Sequence, residues 1–472
     1  MTSPLFTDFY QLTMLKGYLE AGKSQQQVVF ELFFRKIPQQ GSFCVAAGLA
    51  DALAYLEQLR FSPEEIGYLD SLQLFSSDFL TYLHDFRFEG DVWAIPEGTL
   101  VMPQEPLMQI CASLPQAQLV ESALLNMLNF QTLIATKAAR VCLAAEGGTV
   151  LEFGLRRAQG PDGAMSASRA AFIGGCQATS NALAGMRYGI PVRGTQAHAW
   201  IMSFASEIDA FRAYAQSYPK SALLLVDTYD TLSSGVPNAI QVARELREQG
   251  HQLAGIRLDS GDLAALSVGA RQMLDEAGFP EVRIAASNDL DEYTIASLRS
   301  QGARIDTWGV GTQMVTSNKE PALGGVYKLV SIQESGGWRP TLKLSSNPAK
   351  STLPGRKQVY RGRTAQGQFC GDLISLWAEA PPGHRAHILD PLYHRVPQQL
   401  QADSFEPLLQ LVMERGRRVA AAPALEQIRE RTLEQLQHLP KECKRLENPA
   451  YYPWGISKPL FELRQKLQEE AH

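Results

Sequence analysis

His198 in GTQAHAW is one of only eight histidines in 472 residues. It follows a Gly-Thr turn and precedes a helix-like stretch. A neutral imidazole is a usable nucleophile near pH 7, because its ordinary pKa is about 6.5. Five other apolar runs break off into reactive residue types in the same way. TVLEFGLRR ends in Phe153, Gly154 and Arg156. SALLLVDTY ends in Asp227, Tyr229 and Asp230. LAGIRLDSG carries Arg257, Asp259 and Ser260, with Asp262 just beyond. VRIAASND ends in Ser287, Asn288 and Asp289, and RIDTWGVGT in Gly309, Gly311 and Thr312. Guanidinium groups hold carboxylates or phosphates with paired hydrogen bonds. Successive backbone N–H groups at a glycine turn hold phosphate.

Each feature also has a plainer role. Asp259 to Asp262 are good helix N-caps. Arg156 suits a surface ion pair worth ~0–1 kcal/mol. GVGT suits a tight turn, since glycine reaches positive φ cheaply. Six such switches at the same relative place argue for a shared site.

The elements that must position these groups lie in residues 146–335. The runs above, with IPVRGTQ and GGVYKLVS, are strand candidates. Helical segments such as EIDAFRAYAQSY, NAIQVARELREQG and DEYTIASLRSQG alternate with them, while SRAAFIGGCQATSNALAGMRYG reads as one helix. Alternation of this kind implies parallel β built from right-handed βαβ units. About seven strands would curl into a barrel or part of one, with the chemistry at the C-terminal strand ends. Residues 1–145 read as α+β. ADALAYLEQLRF is an amphipathic helix, and Ser62, Pro63 and Glu65 open another with a capping box. DVWAIPEGTLVMPQEPLMQICA is a small β meander, and a long helix follows it. Residues 336–472 hold a loop, a hairpin and two helices. Residues 343–363 contain six Lys or Arg and no acid, which makes them an anion-binding candidate or a solvated charged loop.

Bulk properties exclude several classes. Hydrophobic residues make up 45%, charged residues 20%, and the net charge is −5, so a general nucleic-acid surface is not expected. The six cysteines form no CxxC pair, which argues against a local zinc site or a disulfide framework and favours a cytoplasmic compartment. No run reaches the roughly 20 apolar residues of a membrane span, and MTSPLFTDFYQL lacks the pattern of a signal peptide.

In order and spacing, TDFYQLTM, EFGLRR, GTQAHAW, RLDSGDL and WGVGT resemble the nicotinate phosphoribosyltransferase family, from Asp8 to about Arg363. The resemblance implies a type II phosphoribosyltransferase fold. That is an incomplete seven-stranded parallel α/β barrel with a second α+β domain formed by N-terminal and C-terminal segments. It implies a homodimer with shared active sites, and the joining of nicotinate to 5-phosphoribosyl 1-diphosphate in NAD salvage. ATP hydrolysis is coupled to that reaction, and Mg²⁺ accompanies the phosphates. His198 is then the histidine that ATP phosphorylates, oriented by Asp227. Phe153 and the partner-directed Tyr10 stack on the pyridine ring, and Arg156 meets its carboxylate or a phosphate. Arg257 binds phosphate or diphosphate oxygens, and Asp259 and Asp289 take the ribose hydroxyls. Gly309, Gly311 and Thr312 cradle the 5-phosphate, Thr195 joins the binding residues, and Lys350 closes over diphosphate or ATP. Two positions depart from family patterns. Ala199 follows the histidine where relatives often have Ser. Asn181 lies near the position where nicotinamide-using relatives carry Asp, which favours the acid as substrate.

The alternatives are nicotinamide phosphoribosyltransferase and an unrelated phosphate-binding barrel enzyme. The latter would want a Schiff-base lysine or a glutamate base at a strand end, and no lysine lies at these six. Quinolinate phosphoribosyltransferase shares the fold but lacks the ATP-linked histidine.

Overall fold

The computed structural model describes residues 2–344, 352–391 and 396–470. Its contacts divide the chain into residues 134–321 and residues 1–133 with 322–472, where the sequence reading drew lines at 145 and 335.

Residues 134–321 are built on six parallel strands: β1 (Thr149–Glu152), β2 (Ala178–Thr179), β3 (Leu223–Leu225), β4 (Gly255–Leu258), β5 (Arg283–Ala286) and β6 (Thr307–Val310). Their order across the sheet is β2-β1-β6-β5-β4-β3. Helices follow the strands, and side chains start them. Asn181 accepts from Ala184 N at 3.2 Å, Asp262 from Ala264 N and Ala265 N at 3.1 Å, and Asp291 from Thr294 N at 2.7 Å. Each such cap is worth about 1 kcal/mol. After β3 the chain makes a π-helical turn, Thr231–Gly235. A Cβ on Gly235 would lie 1.9 Å from Val226 O, so only glycine fits there.

Three expectations need correction. GGVYKLVS is not a parallel strand; it lies within Gly325–Glu334, which pairs antiparallel with Gln27–Phe34 in the other unit. IPVRGTQ contributes only a parallel bridge between Val192 and Thr179, because Pro191 has no N–H to extend a ladder. The segment read as one long helix splits into Gly160–Ile173 and Ala182–Tyr188 around β2, and Gly174 and Gly175 mark the break.

In the other unit a seven-stranded sheet centres on Gln27–Phe34 and Met108–Ser113. A four-stranded sheet holds the hairpin of Lys357–Arg363 and Phe369–Leu376. The capping box of Ser62 and Glu65 forms as expected. Arg361 and Asp372, both with fully buried side chains, pair through Nη2–Oδ2 at 2.6 Å and Nε–Oδ1 at 2.9 Å. Gln435 Oε1 accepts from Arg361 Nη1 at 2.9 Å, and Leu100 O shares Nη2 at 2.8 Å. Tyr452 donates to Asp372 Oδ1 at 3.0 Å. Arg361→Met should destabilise the protein by about 3–5 kcal/mol, because it leaves a buried carboxylate without its cation. Thermal denaturation followed by circular dichroism measures this loss, and an unchanged midpoint would contradict the assignment.

Candidate active site

Because all six strands run parallel, the segments leaving their C-terminal ends gather along one edge of the sheet. Arg257, the third residue of β4, organises that edge. Its Nε donates to Ser287 Oγ at 2.9 Å, Nη1 to Thr195 Oγ1 at 2.8 Å and Gln196 O at 3.2 Å, and Nη2 to Asp259 Oδ1 at 2.9 Å. One planar fork therefore ties together the ends of β4 and β5 and the segment that leads to His198. Ser287 Oγ also donates to Asp259 Oδ1 in a short hydrogen bond.

His198 begins the short helix His198–Met202. Its Nε2 lies 3.3 Å from Asp227 Oδ1; the histidine side chain is 40% exposed and the aspartate 1%. Asp227 Oδ2 accepts from Asp259 N at 2.8 Å and Ser260 Oγ at 2.6 Å. These bonds fix the carboxylate, so the imidazole has a rigid acceptor on one nitrogen.

Asp259 answers the question of whether its segment merely caps a helix. Asp262 makes the cap, which leaves Asp259 to Arg257 and Ser287. Burial pushes the Asp259 carboxyl upward, but the Ser287 hydroxyl and the Arg257 charge outweigh it, and the net shift is downward from the ordinary range.

Phe153 leaves β1 with its N–H on Val310 O at 2.8 Å. A Cβ on Gly309 would lie 2.6 Å from Phe153 Cδ2. Gly309 therefore acts sterically: it stands in the ladder opposite Leu151 and makes room for the aromatic ring. Gly311 and Thr312 begin the turn into Thr312–Val315. Arg156 is exposed in the single turn Leu155–Arg157. Asn288 and Asp289 are exposed and adopt φ of 98° and 41°. Such sparsely populated conformations cost of order 1–3 kcal/mol each and cluster at functional sites.

Asn181 opens the helix Ala182–Tyr188. It is buried, its Oδ1 caps a helix, and its Nδ2 donates to Ser168 Oγ at 3.2 Å. Tyr10 is half exposed on the helix Phe9–Glu20 of the other unit. Lys350 lies outside the described residues.

Sequence reading missed Glu152, the last residue of β1. It is 1% exposed and accepts from Gly154 N, from Ser168 Oγ at 2.9 Å and from Thr179 Oγ1 at 2.5 Å. An acid ending the otherwise apolar run TVLEF was its signal. Both of its oxygens are used inside the protein, where they tie β1 to β2 and to the helix Gly160–Ile173. Ser287 and Ser260 were seen as strand-end residues, but their hydrogen-bonding roles appear only in three dimensions. Among the described residues no group of three or more His, Cys, Asp or Glu side chains is arranged to hold a metal.

The chain thus combines a parallel α/β unit, whose strand ends and following segments present imidazole, guanidinium and carboxylate groups, with a separate sheet-rich unit, a mixed α/β class of protein. The family comparisons narrow this class. Residues 5–129, 149–360 and 356–464 match the N-terminal domain, the family model and the C-terminal domain of nicotinate phosphoribosyltransferase, respectively. Nicotinate phosphoribosyltransferase of Bacillus subtilis is 44% identical, over 99% of this chain and 97% of that protein. The Bos taurus protein of that name is 37% identical, over 98% of this chain and 96% of that protein. The crystal structure of human nicotinic acid phosphoribosyltransferase superposes with a TM-score of 0.86 at 33% identity, covering 98% of this chain and 99% of that one. The chain belongs to the nicotinate phosphoribosyltransferase family.

Removing the Ser287 hydroxyl should raise the pKa of Asp259, because an O–H donor favours the ionised carboxylate. In wild type the stabilisation from this pair is complete above the ordinary aspartate value of about 3.9, and it is lost as pH falls through the lowered native value. The acidic limb of a kcat/KM profile should therefore move to higher pH in Ser287→Ala. A superimposable limb would show that Asp259 does not govern it.

Proposed function

We propose that the protein is a nicotinate phosphoribosyltransferase in NAD biosynthesis. The pyridine nitrogen of nicotinate attacks C1 of 5-phosphoribosyl 1-diphosphate; the new C1–N bond forms as the C1–O bond breaks and diphosphate leaves. The observation that carries this reading is the joint anchoring of His198, Asp227, Arg257, Asp259 and Ser287 at one set of strand ends, in a chain of this family. Little covalent help is needed at the sugar, so the protein's work is positioning and charge stabilisation. Arg257 offsets charge on the leaving diphosphate. Asp259, held ionised, and Asp289 accept from the ribose hydroxyls. Thr195 sits beside the same anion through Arg257. Phe153 stacks on the pyridine, Arg156 meets its carboxylate, and the backbone of Gly311 and Thr312 receives the 5-phosphate.

ATP enters through His198. With Nε2–H donated to Asp227, Nδ1 keeps its lone pair and attacks the γ-phosphorus. ADP leaves, and water later cleaves the phosphohistidine to release phosphate. Mg²⁺ suits this donor set: the carboxylates of Asp259 and Asp289 are hard oxygen ligands of the kind that hold it through water and substrate phosphates. When bound, it neutralises phosphate charge.

In the same reading the six parallel strands form an incomplete barrel. Thr179 N donates to Pro191 O and Arg193 N to Thr179 O, each at 3.0 Å, so the segment around Val192 counts as a seventh member. The open seam then lies between that segment and β3, where Gln196 Nε2 donates to Leu223 O at 3.2 Å. A homodimer completes the site, with Tyr10 closing over the neighbour's pyridine. Phe6, Phe9 and Tyr10 are 46%, 47% and 50% exposed, an apolar patch of the sort that marks an interface.

Assays for nicotinate mononucleotide with and without ATP, with nicotinamide in parallel, test the reaction; equal turnover of the amide would favour the rival substrate. His198→Ala should abolish ATP hydrolysis and retain ATP-independent transfer, and preserved coupling would remove His198 from the mechanism. Mixed dimers of Tyr10→Ala and His198→Ala subunits should recover activity through the one intact shared site. No recovery would count against sharing.

A further inference from the structure

The segment that carries Asp289 is braced from behind by a buried ion cluster that plays no direct part in the proposed chemistry. The helix Glu121–Ala144 directs Lys137 and Arg140 onto Glu292, the first residue of the helix Glu292–Ser300. Lys137 Nζ lies 2.5 Å from Glu292 Oε2, and Arg140 Nε lies 3.0 Å from Oε1. The three side chains are 2%, 4% and 0% exposed. Arg140 Nη2 also donates to Tyr293 Oη at 3.0 Å. The far end of the same helix is tied by Arg299, which donates to Ala144 O at 3.2 Å and pairs with Glu146 at 2.6 Å.

Between β5 and this clamped helix lie only Ser287 to Asp291. Ser287 is fixed by Arg257, and Asp291 is fixed as the cap of the helix. The residues between them include Asn288 and Asp289, both at positive φ. Two adjacent non-glycine residues keep such φ only when their surroundings over-determine them. The far anchor of that short span is the helix start, and the cations on Glu292 hold it there. An acid at a helix N-terminus is also favoured by the helix dipole.

We infer that Glu292, clamped by Lys137 and Arg140, is a positioning residue that holds Asp289 in place for the phosphorylated sugar. This rests on the proposed reading of the strand-end site. Its mark is selectivity between substrates. A plain core ion pair would change stability alone, whereas a brace behind Asp289 governs the phosphoribosyl donor far more than nicotinate.

The test uses full-length Glu292→Gln. The KM for 5-phosphoribosyl 1-diphosphate should rise about tenfold while that for nicotinate stays within about twofold, because small misplacements of a positioning group are costly. Amide hydrogen exchange over residues 287–294 should accelerate. Lys137→Met should shift both readouts in the same direction, and Lys137→Arg should restore them; this pair decides the matter if Glu292→Gln fails to fold. Unchanged exchange in a folded variant, or equal rises in both KM values, would overturn the inference. Absence of nicotinate turnover in wild type would instead sink the functional reading, and the exchange measurement would still decide whether the brace exists.

Discussion

The candidate site depends on how one guanidinium is satisfied. Arg257 is 17% exposed, so its donors must find oxygen atoms within the protein. It finds them on Ser287, Thr195, Gln196 and Asp259. Hydrogen bonds to a charged group are worth about 1.5–3 kcal/mol each, and a buried one left unmade costs at least as much. Because the fork is planar and rigid, its partners cannot drift independently. The segments leaving β4 and β5 and the approach to His198 are thereby set in one mutual register. Lysine could not do this, since a single ammonium on a flexible stem offers no fixed fork.

A second layer acts through atoms that a ligand would not touch. Glu152 holds the turn at Gly154, the helix residue Ser168 and the end of β2 through Thr179. Asp227 is held by the Asp259 N–H and the Ser260 hydroxyl, and so holds His198. Glycine at 309 gives Phe153 its volume, and glycine at 235 lets the π-helical turn pass under Val226. Parallel strands bring the right residue types to one edge; these contacts fix their angles. For a reaction that depends on alignment and charge, angular control is most of what a protein can add.

Much of this was legible in the chain. Strand ends that switch from apolar to polar located Arg257, Asp259 and Asp227, because a buried parallel strand reads as an apolar run and its end as a break; His198 was marked instead by the Gly-Thr turn before it. The capping box at Ser62 was legible because it is purely local. What escaped was non-local. β2 has only two residues and lies inside a helix-like pattern, so no periodicity marks it. Gly325–Glu334 has strand character but nothing that names its partner, and it pairs with Gln27–Phe34 some 300 residues away in the sequence. The cap and the buried hydrogen bond that Asn181 makes were not legible either, because its partner Ser168 lies on a separate helix. Gly309 looked like part of a phosphate turn, while its clearest constraint is steric and comes from a residue on another strand.

The acids of the two units show how environment, more than residue type, assigns their work. Glu31 and Glu105 lie in the sheet-rich unit. Burial raises the Glu31 carboxyl despite Lys357. Burial, then the charge of Asp372, raises that of Glu105 well above its ordinary value. In both, burial is the largest cause and the net shift is upward, even though Glu31 pairs with Lys357 at 2.8 Å. Asp259 is also penalised by burial, yet a hydroxyl and a guanidinium reverse the sign and keep it ionised. In the proposed role, Asp259 accepts from a sugar hydroxyl; that role asks the carboxylate to stay charged while partly enclosed, which needs donors already in place before any ligand arrives. Ser287 and Arg257 are those donors. The arrangement that fixes the geometry of the strand ends is therefore the same one that fixes the charge of Asp259.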